Sequence, residues 1–286
     1  MKKIIYIFII LLIFTSCASE SVKDNHNNIM LSCNYYNEKL FLTNLSKASK
    51  YDVPGKVIAI TVPHNECIMD MTASALETAK EYDYDSIVLL SINHKAKVGK
   101  MLLASADFNT TLGVVRGDVE TKEYIKNSLI ENVIEEYEIV EEDHSASVLM
   151  PYIKKYFPDT PVTTMLFTKR MTTNDIAKVS EVLYNLSQEK NILILGSMDF
   201  SHYQNYQDTA MYDEETLKLV NNFDTIELRQ KDSKNLDARE ALSIILEYAK
   251  LRGFNKVSTL EHRIVSNAPS SDDYGSYMVL SINEEE

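Results

Sequence analysis

The chain of 286 residues carries a formal net charge of -13, with 45% hydrophobic residues, 25% charged residues, and only 7 Gly and 6 Pro. Such a composition can build a substantial core and excludes disorder over the main body. The acidic balance opposes long-range attraction to nucleic acid or anionic lipid, so no nucleic-acid partner is expected.

At the N-terminus, Lys2 and Lys3 precede the apolar run 4–14, which is too short to span a bilayer as a mature helix, and Thr15-Ser16-Cys17 follows. Residues 1–16 therefore read as an export signal. The ending resembles a bacterial lipobox, with Phe14 in place of the usual aliphatic residue, and implies Cys17 as an acylated first residue. The expected location is the cell envelope of a bacterium, as a lipoprotein held in the membrane by several acyl chains, since one chain anchors only marginally. Residues 17–40 read as a flexible tether and 41–286 as a single α/β domain. Cys33 and Cys67 are far apart in sequence and form no disulfide framework.

Apolar runs of strand length follow at 56–62, 86–92, 162–168, 191–196, 257–265 and 275–282. Between the first two, residues 68–82 place Met71, Ala75, Ala79 and Tyr82 on one helical face. Before the fourth, the stretch from Asn174, a candidate N-cap, does the same with Ile176, Val179, Leu183 and Leu186. Continuously apolar strands alternating with helices predict an α/β fold, a mainly parallel or mixed central sheet with helices on both faces.

Three of these runs end in the same way. His64 stands just past the first, His94 past the second, and Asp199 and His202 past the fourth. Ligands of open parallel sheets bind outside the carboxyl ends of the strands, so these groups are expected to meet at one rim. A single loop histidine has an ordinary explanation, an imidazole satisfied by backbone or water. The coincidence in three strands points to a site.

The segments "VPHN", "LLSINH", "TTLGVVRGD", "DHSASVLMPY" and "GSMDFSHY" occur in an order and spacing that resembles the Memo family, also called AmmeMemoRadiSam system protein B. The resemblance covers roughly residues 55–282. It implies a fold similar to the class III extradiol dioxygenases and a metal held by two histidines, here His64 and His94, and a cysteine. The family's cysteine falls on Asp237, which turns the expected ligand set into two imidazoles and a carboxylate. Such a set favours iron(II), with zinc, manganese and copper left open. Asp237 has a second reading, because Asp237 and Glu240 form a capping-box pattern before an apolar helix, and Cys67 is a rival third ligand at His64-x-x-Cys67 spacing. His202 and His144 are candidates for acid–base work and Asp199 for fixing the tautomer of a neighbouring imidazole. In "DHSASVLMPY", Asp143 or Ser145 is alternatively a helix cap. Glu66 adds a carboxylate that either tightens a metal or is solvated.

Two functions follow. One is a metal-dependent, dioxygenase-like oxidoreductase acting on an unknown small molecule, and the other a non-catalytic metal- or ligand-binding lipoprotein that works through a protein partner. The family name further implies an AMMECR-domain protein and a radical SAM protein as partners. Both are expected in the cytoplasm, where an exported chain would not meet them.

Overall fold

The computed structural model describes residues 29–95, 99–129, 133–268 and 271–284. The export signal and Cys17 lie outside the described residues. In chain order the strands are β1 (Met30–Ser32), β2 (Lys56–Val62), β3 (Ser86–Ile92), β4 (Met101–Ala104), β5 (Asp107–Thr110), β6 (Gly113–Val115), β7 (Val133–Ile134), β8 (Val162–Phe167), β9 (Ile192–Ser197), β10 (Ser258–Ser266) and β11 (Tyr274–Glu284). The helices are α1 (Glu38–Lys47), α2 (Met69–Ala79), α3 (Val119–Ser128), α4 (Tyr137–Glu142), α5 (His144–Ser147), α6 (Met150–Tyr156), α7 (Thr173–Glu189), α8 (Tyr206–Asn221), α9 (Thr225–Leu228) and α10 (Arg239–Leu251).

Eight strands form a mixed sheet in the order β10-β11-β2-β9-β3-β8-β4-β7. Its centre, β2-β9-β3-β8, is parallel throughout, and antiparallel pairing begins at β11 on one side and β4 on the other. The fold class expected from the sequence is thus what the structure has, and all six expected strands belong to this sheet. Side-chain alternation splits the core in two. Val88, Leu90 and Ile194 face α7 and α10 through Val179, Leu183 and Ile244. Leu89, Leu193 and Leu195 face α2 and α6 through Leu76 and Ile153. A small second sheet, β1-β5-β6, packs beside α6.

Three differences from the sequence expectation have physical causes. Regular structure is present inside the span read as tether: β1 pairs in parallel with β5, Leu31 is buried, and Ser32 N–H donates to Glu141 at 2.6 Å. The N-cap of α7 is Thr172 rather than Asn174, because Thr172 and Asp175 satisfy each other's backbone N–H in a complete capping box. Asp237 caps nothing. Helix α10 starts at Arg239 with Ala238 in the cap position and no side-chain cap bond, so Asp237 lies one residue too early.

Helix α10 packs on the sheet beside Gly196, where an added Cβ would stand 2.6 Å from Ile245 Cδ1 and 2.8 Å from Met198 Cε, two side-chain ends that would have to shift to admit it. Asp237, just before α10, lies beside the segment that follows β9, where its N–H donates to the Asp199 carbonyl at 3.1 Å.

Candidate metal centre and its cleft

Strand β9 lies between β2 and β3, and all three run the same way. Their carboxyl ends therefore deliver His64, His94 and the loop carrying Asp199 and His202 to one rim. With His144, Asp237 and others they line a cleft of about 750 Å³, well within the size range of small-molecule sites. The sequence-predicted residues His64, His94, His144, Asp199, His202 and Asp237 all meet here. The segment "TTLGVVRGD" does not contribute to the lining. It forms β5 to β6 and the start of α3, where Asp118 caps the helix and pairs with Lys190 at 2.8 Å.

Each histidine is oriented by what its Nδ1 touches. Ser197 Oγ donates to the Ser145 carbonyl at 2.6 Å, so its remaining role toward His64 Nδ1, 3.1 Å away, is to accept. That assigns the His64 Nδ1–H and leaves Nε2 turned inward. His94 Nδ1 stands 2.9 Å from Asp143 Oδ1, while its backbone N–H donates to Asp143 Oδ2 at 2.8 Å. Asp143 is wholly buried, and although burial raises a carboxyl's pKa, the bonds from His94 and Ser145 hold it below the usual range. It also caps α5 through Ser145 N–H. Asp143 is thus the helix cap read from the sequence and, in addition, the residue that orients His94.

Asp237 meets both free Nε2 atoms. Its Oδ2 is 3.1 Å from His64 Nε2 and 3.8 Å from His94 Nε2. It is fixed by a reciprocal clasp, in which Asp199 N–H donates to Asp237 Oδ1 at 3.2 Å and Asp237 N–H to the Asp199 carbonyl at 3.1 Å. Asp199 Oδ1 accepts from His64 N–H at 3.0 Å, and its Oδ2 lies 3.7 Å from both His64 Nε2 and His202 Nε2.

His144 completes the rim. His64, His94 and His144 each offer a ligand nitrogen, all within 4.8 Å of one another, which is a geometry able to hold a metal ion. The His144 ring centroid is 4.3 Å from that of His94 and 5.0 Å from that of His64, and the ring makes no hydrogen bond among the described residues. Cys67 is exposed on the cleft lining and stands outside this trio; it and Cys33 are both free thiols.

The electrostatics differ from ring to ring. Burial pushes the His64 imidazole down, but the carboxylates of Asp199 and Asp237 outweigh it and bring it up to about 9. His144 is driven down to about 4, by burial first and then by the charge on His64 and His94. Burial lowers His202 as well, but Asp199 and Asp237 leave it above the ordinary histidine value.

Tyr35, Asn267, Asp273 and Tyr277, which the sequence reasoning did not single out, also line the cleft, as does Tyr203 at the end of "GSMDFSHY". Tyr277 projects from β11, where it is one of a run of buried positions, and its phenol accepts from Asn65 Nδ2 at 2.9 Å. Nothing local to these positions distinguishes them from core or loop residues.

The profile of the family described as Memo-like protein matches residues 34–279. The chain belongs to the Memo-like protein family. Among curated proteins it is similar to a MEMO1 family protein of Aquifex aeolicus, 23% identical over 75% of this chain and 61% of that one. A MEMO1 family protein of Saccharolobus islandicus is 28% identical over 49% of this chain and 50% of its own, and one from Caldivirga maquilingensis 23% identical over 79% and 80%. The chain thus spans only about half to three-fifths of the length of the first two relatives. Its fold is similar to that of an uncharacterized protein, JW3007, of Escherichia coli K12, with a TM-score of 0.57 and 13% identity over 80% of this chain and 100% of that one.

Proposed function

We propose that this Memo-like protein binds a divalent metal, best matched by iron(II), through His64, His94 and Asp237 with His144 as an additional donor, and uses it in dioxygenase-like oxidation of a small molecule. The observation that carries this reading is the convergence of three imidazole nitrogens within 4.8 Å, while the Nδ1 atoms of His64 and His94 are occupied by Ser197 and Asp143. Outward partners of that kind fix the tautomer and raise ligand basicity. The donors also fit in chemical type, since imidazoles with one carboxylate suit non-haem iron and leave positions open.

When bound, such an ion supplies Lewis acidity and redox chemistry toward dioxygen. The chain's own residues supply the rest. His202 lines the same cleft as the donors, beside Asp199, where it can take a proton from a substrate hydroxyl and return it. Asp199 orients His202 and, through the His64 N–H, the first donor as well. Tyr277 keeps its proton, because burial and the Asp199 charge push its phenol up, so it serves as a hydrogen-bond donor toward a bound oxygen.

Elemental analysis of protein purified without affinity metals or chelators tests the site. The parent should carry metal, and His64→Ala with His94→Ala should lower its content by an order of magnitude or more with the fold intact by circular dichroism. Full occupancy in the double variant removes the proposal.

The envelope lipoprotein reading is proposed from the leader and Cys17. Labelled palmitate should mark the parent in a bacterial host and not Cys17→Ser. Among the described residues no helix is long and apolar enough to cross a membrane.

A further inference from the structure

Among its described lining residues the cleft has four carboxylates and no lysine or arginine. Two of them, Asp199 and Asp237, are engaged with the histidines and with each other's backbone. Glu66 and Asp273 are not. The Glu66 side chain makes no hydrogen bond or ion pair among the described residues; its backbone carbonyl alone accepts, from Asn44 Nδ2. Asp273 Oδ1 accepts a single side-chain bond, at 3.1 Å from the neutral Asn267 amide. Both residues are half-buried.

A carboxylate partly withdrawn from water without a cation is unfavourable, and a cationic ligand relieves that cost. Three phenol rings, Tyr35, Tyr203 and Tyr277, share the lining, and ring faces attract organic cations. The chain's net charge of -13 draws cations toward the cleft and repels anions. A ligand with a carboxylate or phosphate tail would find like charge at Glu66 and Asp273, and the positive charge among the described lining residues lies on the imidazoles at the histidine end of the cleft, where Asp199 and Asp237 already face it. A metal ion held by the histidines would attract an anionic group, but only at the donors themselves.

We propose that the cleft takes a small ring-bearing organic cation, an amine or quaternary ammonium, whose charge is received by Glu66 and Asp273. This rests on the metal-site reading for the cleft's being a ligand site, but the charge preference comes from residues that are not metal donors, so the two can fail separately.

Phenethylamine and hydrocinnamate share a ring and spacer and differ in the sign of the terminal charge. Isothermal titration of the full chain with each, in iron-loaded and chelator-treated forms, tests the proposal. The amine should bind about tenfold tighter or more in both forms. Glu66→Gln with Asp273→Asn should abolish that preference while metal content stays at the parental level. Hydrocinnamate binding as tightly as the amine, binding of neither probe, or a preference unchanged in the double variant would overturn it. An amine preference in a protein that takes up no metal supports the cation proposal and counts against the metal reading; normal metal content without the preference does the reverse.

Discussion

The loop after β9 feeds two histidine–aspartate constellations made of the same residue types and built to different ends. Ser201 enters the first. There Asp213, wholly buried on α8, accepts from Ser201 Oγ at 2.9 Å, from Ser276 Oγ at 2.6 Å and from His262 Nε2 at 2.7 Å. Both carboxylate oxygens are satisfied from inside the protein, and the network ties α8, β10 and β11 to the loop. Asp199 and His202 enter the second, in the cleft. There the inward nitrogens of His64 and His94 face one carboxylate, and the His144 ring has no hydrogen-bond partner among the described residues. A saturated network holds a fold together, whereas convergent ring nitrogens without a full set of protein partners are able to take a ligand.

The largest expected effect breaks the first constellation. Asp213→Ala strands two buried hydroxyls and a histidine, and should cost about 3–5 kcal/mol of unfolding free energy. Metal bound per folded molecule should stay near the parental value. Denaturant unfolding with elemental analysis checks both, and a stable variant that has lost its metal would reverse the roles assigned to the two networks.

Next in size is the converse change. Asp237→Ser removes the carboxylate that faces His64 and His94, so metal affinity should fall by about a hundredfold or more while the metal-free fold changes little. Asp237→Cys should restore binding and shift preference toward softer metals. Competitive titration with iron(II) and zinc reads this directly. Unaltered iron affinity in the Ser variant would leave the histidines as the whole donor set.

What could be read in the sequence divides along the same line. The cleft histidines were legible because each follows a continuous apolar run, and a parallel sheet carries the ends of such runs to one edge. His64, His94, Asp199 and His202 needed only that rule. Asp237 was ambiguous, since Asp-x-x-Glu is a cap signature. The decision lay in where α10 begins and in the backbone bond that places Asp237 against Asp199, facts of tertiary packing. Glu240 instead pairs with Arg239 Nε at 3.1 Å. The first constellation was not legible at all, because Ser201, Asp213, His262 and Ser276 lie on four separate segments with no shared pattern. Nor was β4, four residues long and paired antiparallel to β8, too short for periodicity to mark.

A smaller effect separates the two constellations by pH. In the metal-free protein His64 titrates up to about 9, against roughly 6.5 when unfolded. A histidine raised in the folded state contributes stability that is complete below its unfolded value and lost as pH rises through the folded one. The difference in melting temperature between the metal-free parent and His64→Asn should therefore shrink from about pH 6.5 upward through 9. Metal takes the place of the Nε2 proton, so metal affinity should rise over the same window. A stability difference that grows with pH would show that His64 is neutral in the metal-free cleft.

The smallest effect concerns Tyr203, at the mouth of the cleft. Its backbone has φ 57°, in the left-handed region that a bulky side chain adopts at a cost of about 1 kcal/mol. The residue is 78% exposed, so packing returns little of that cost. Tyr203→Gly relieves the strain but adds freedom to the unfolded chain, and the two terms are of similar size, so stability should change by less than about 1 kcal/mol in either direction. If the strain serves the cleft, the same substitution should weaken phenethylamine binding severalfold, because a ring centred 5.7 Å from that of His202 has been removed from the lining. Tyr203→Phe, which keeps ring and backbone, should bind as the parent does. A loss of several kcal/mol in the Gly variant with unchanged amine affinity would assign Tyr203 to the structural side of the loop, with Ser201, and would move the boundary between the two constellations past His202.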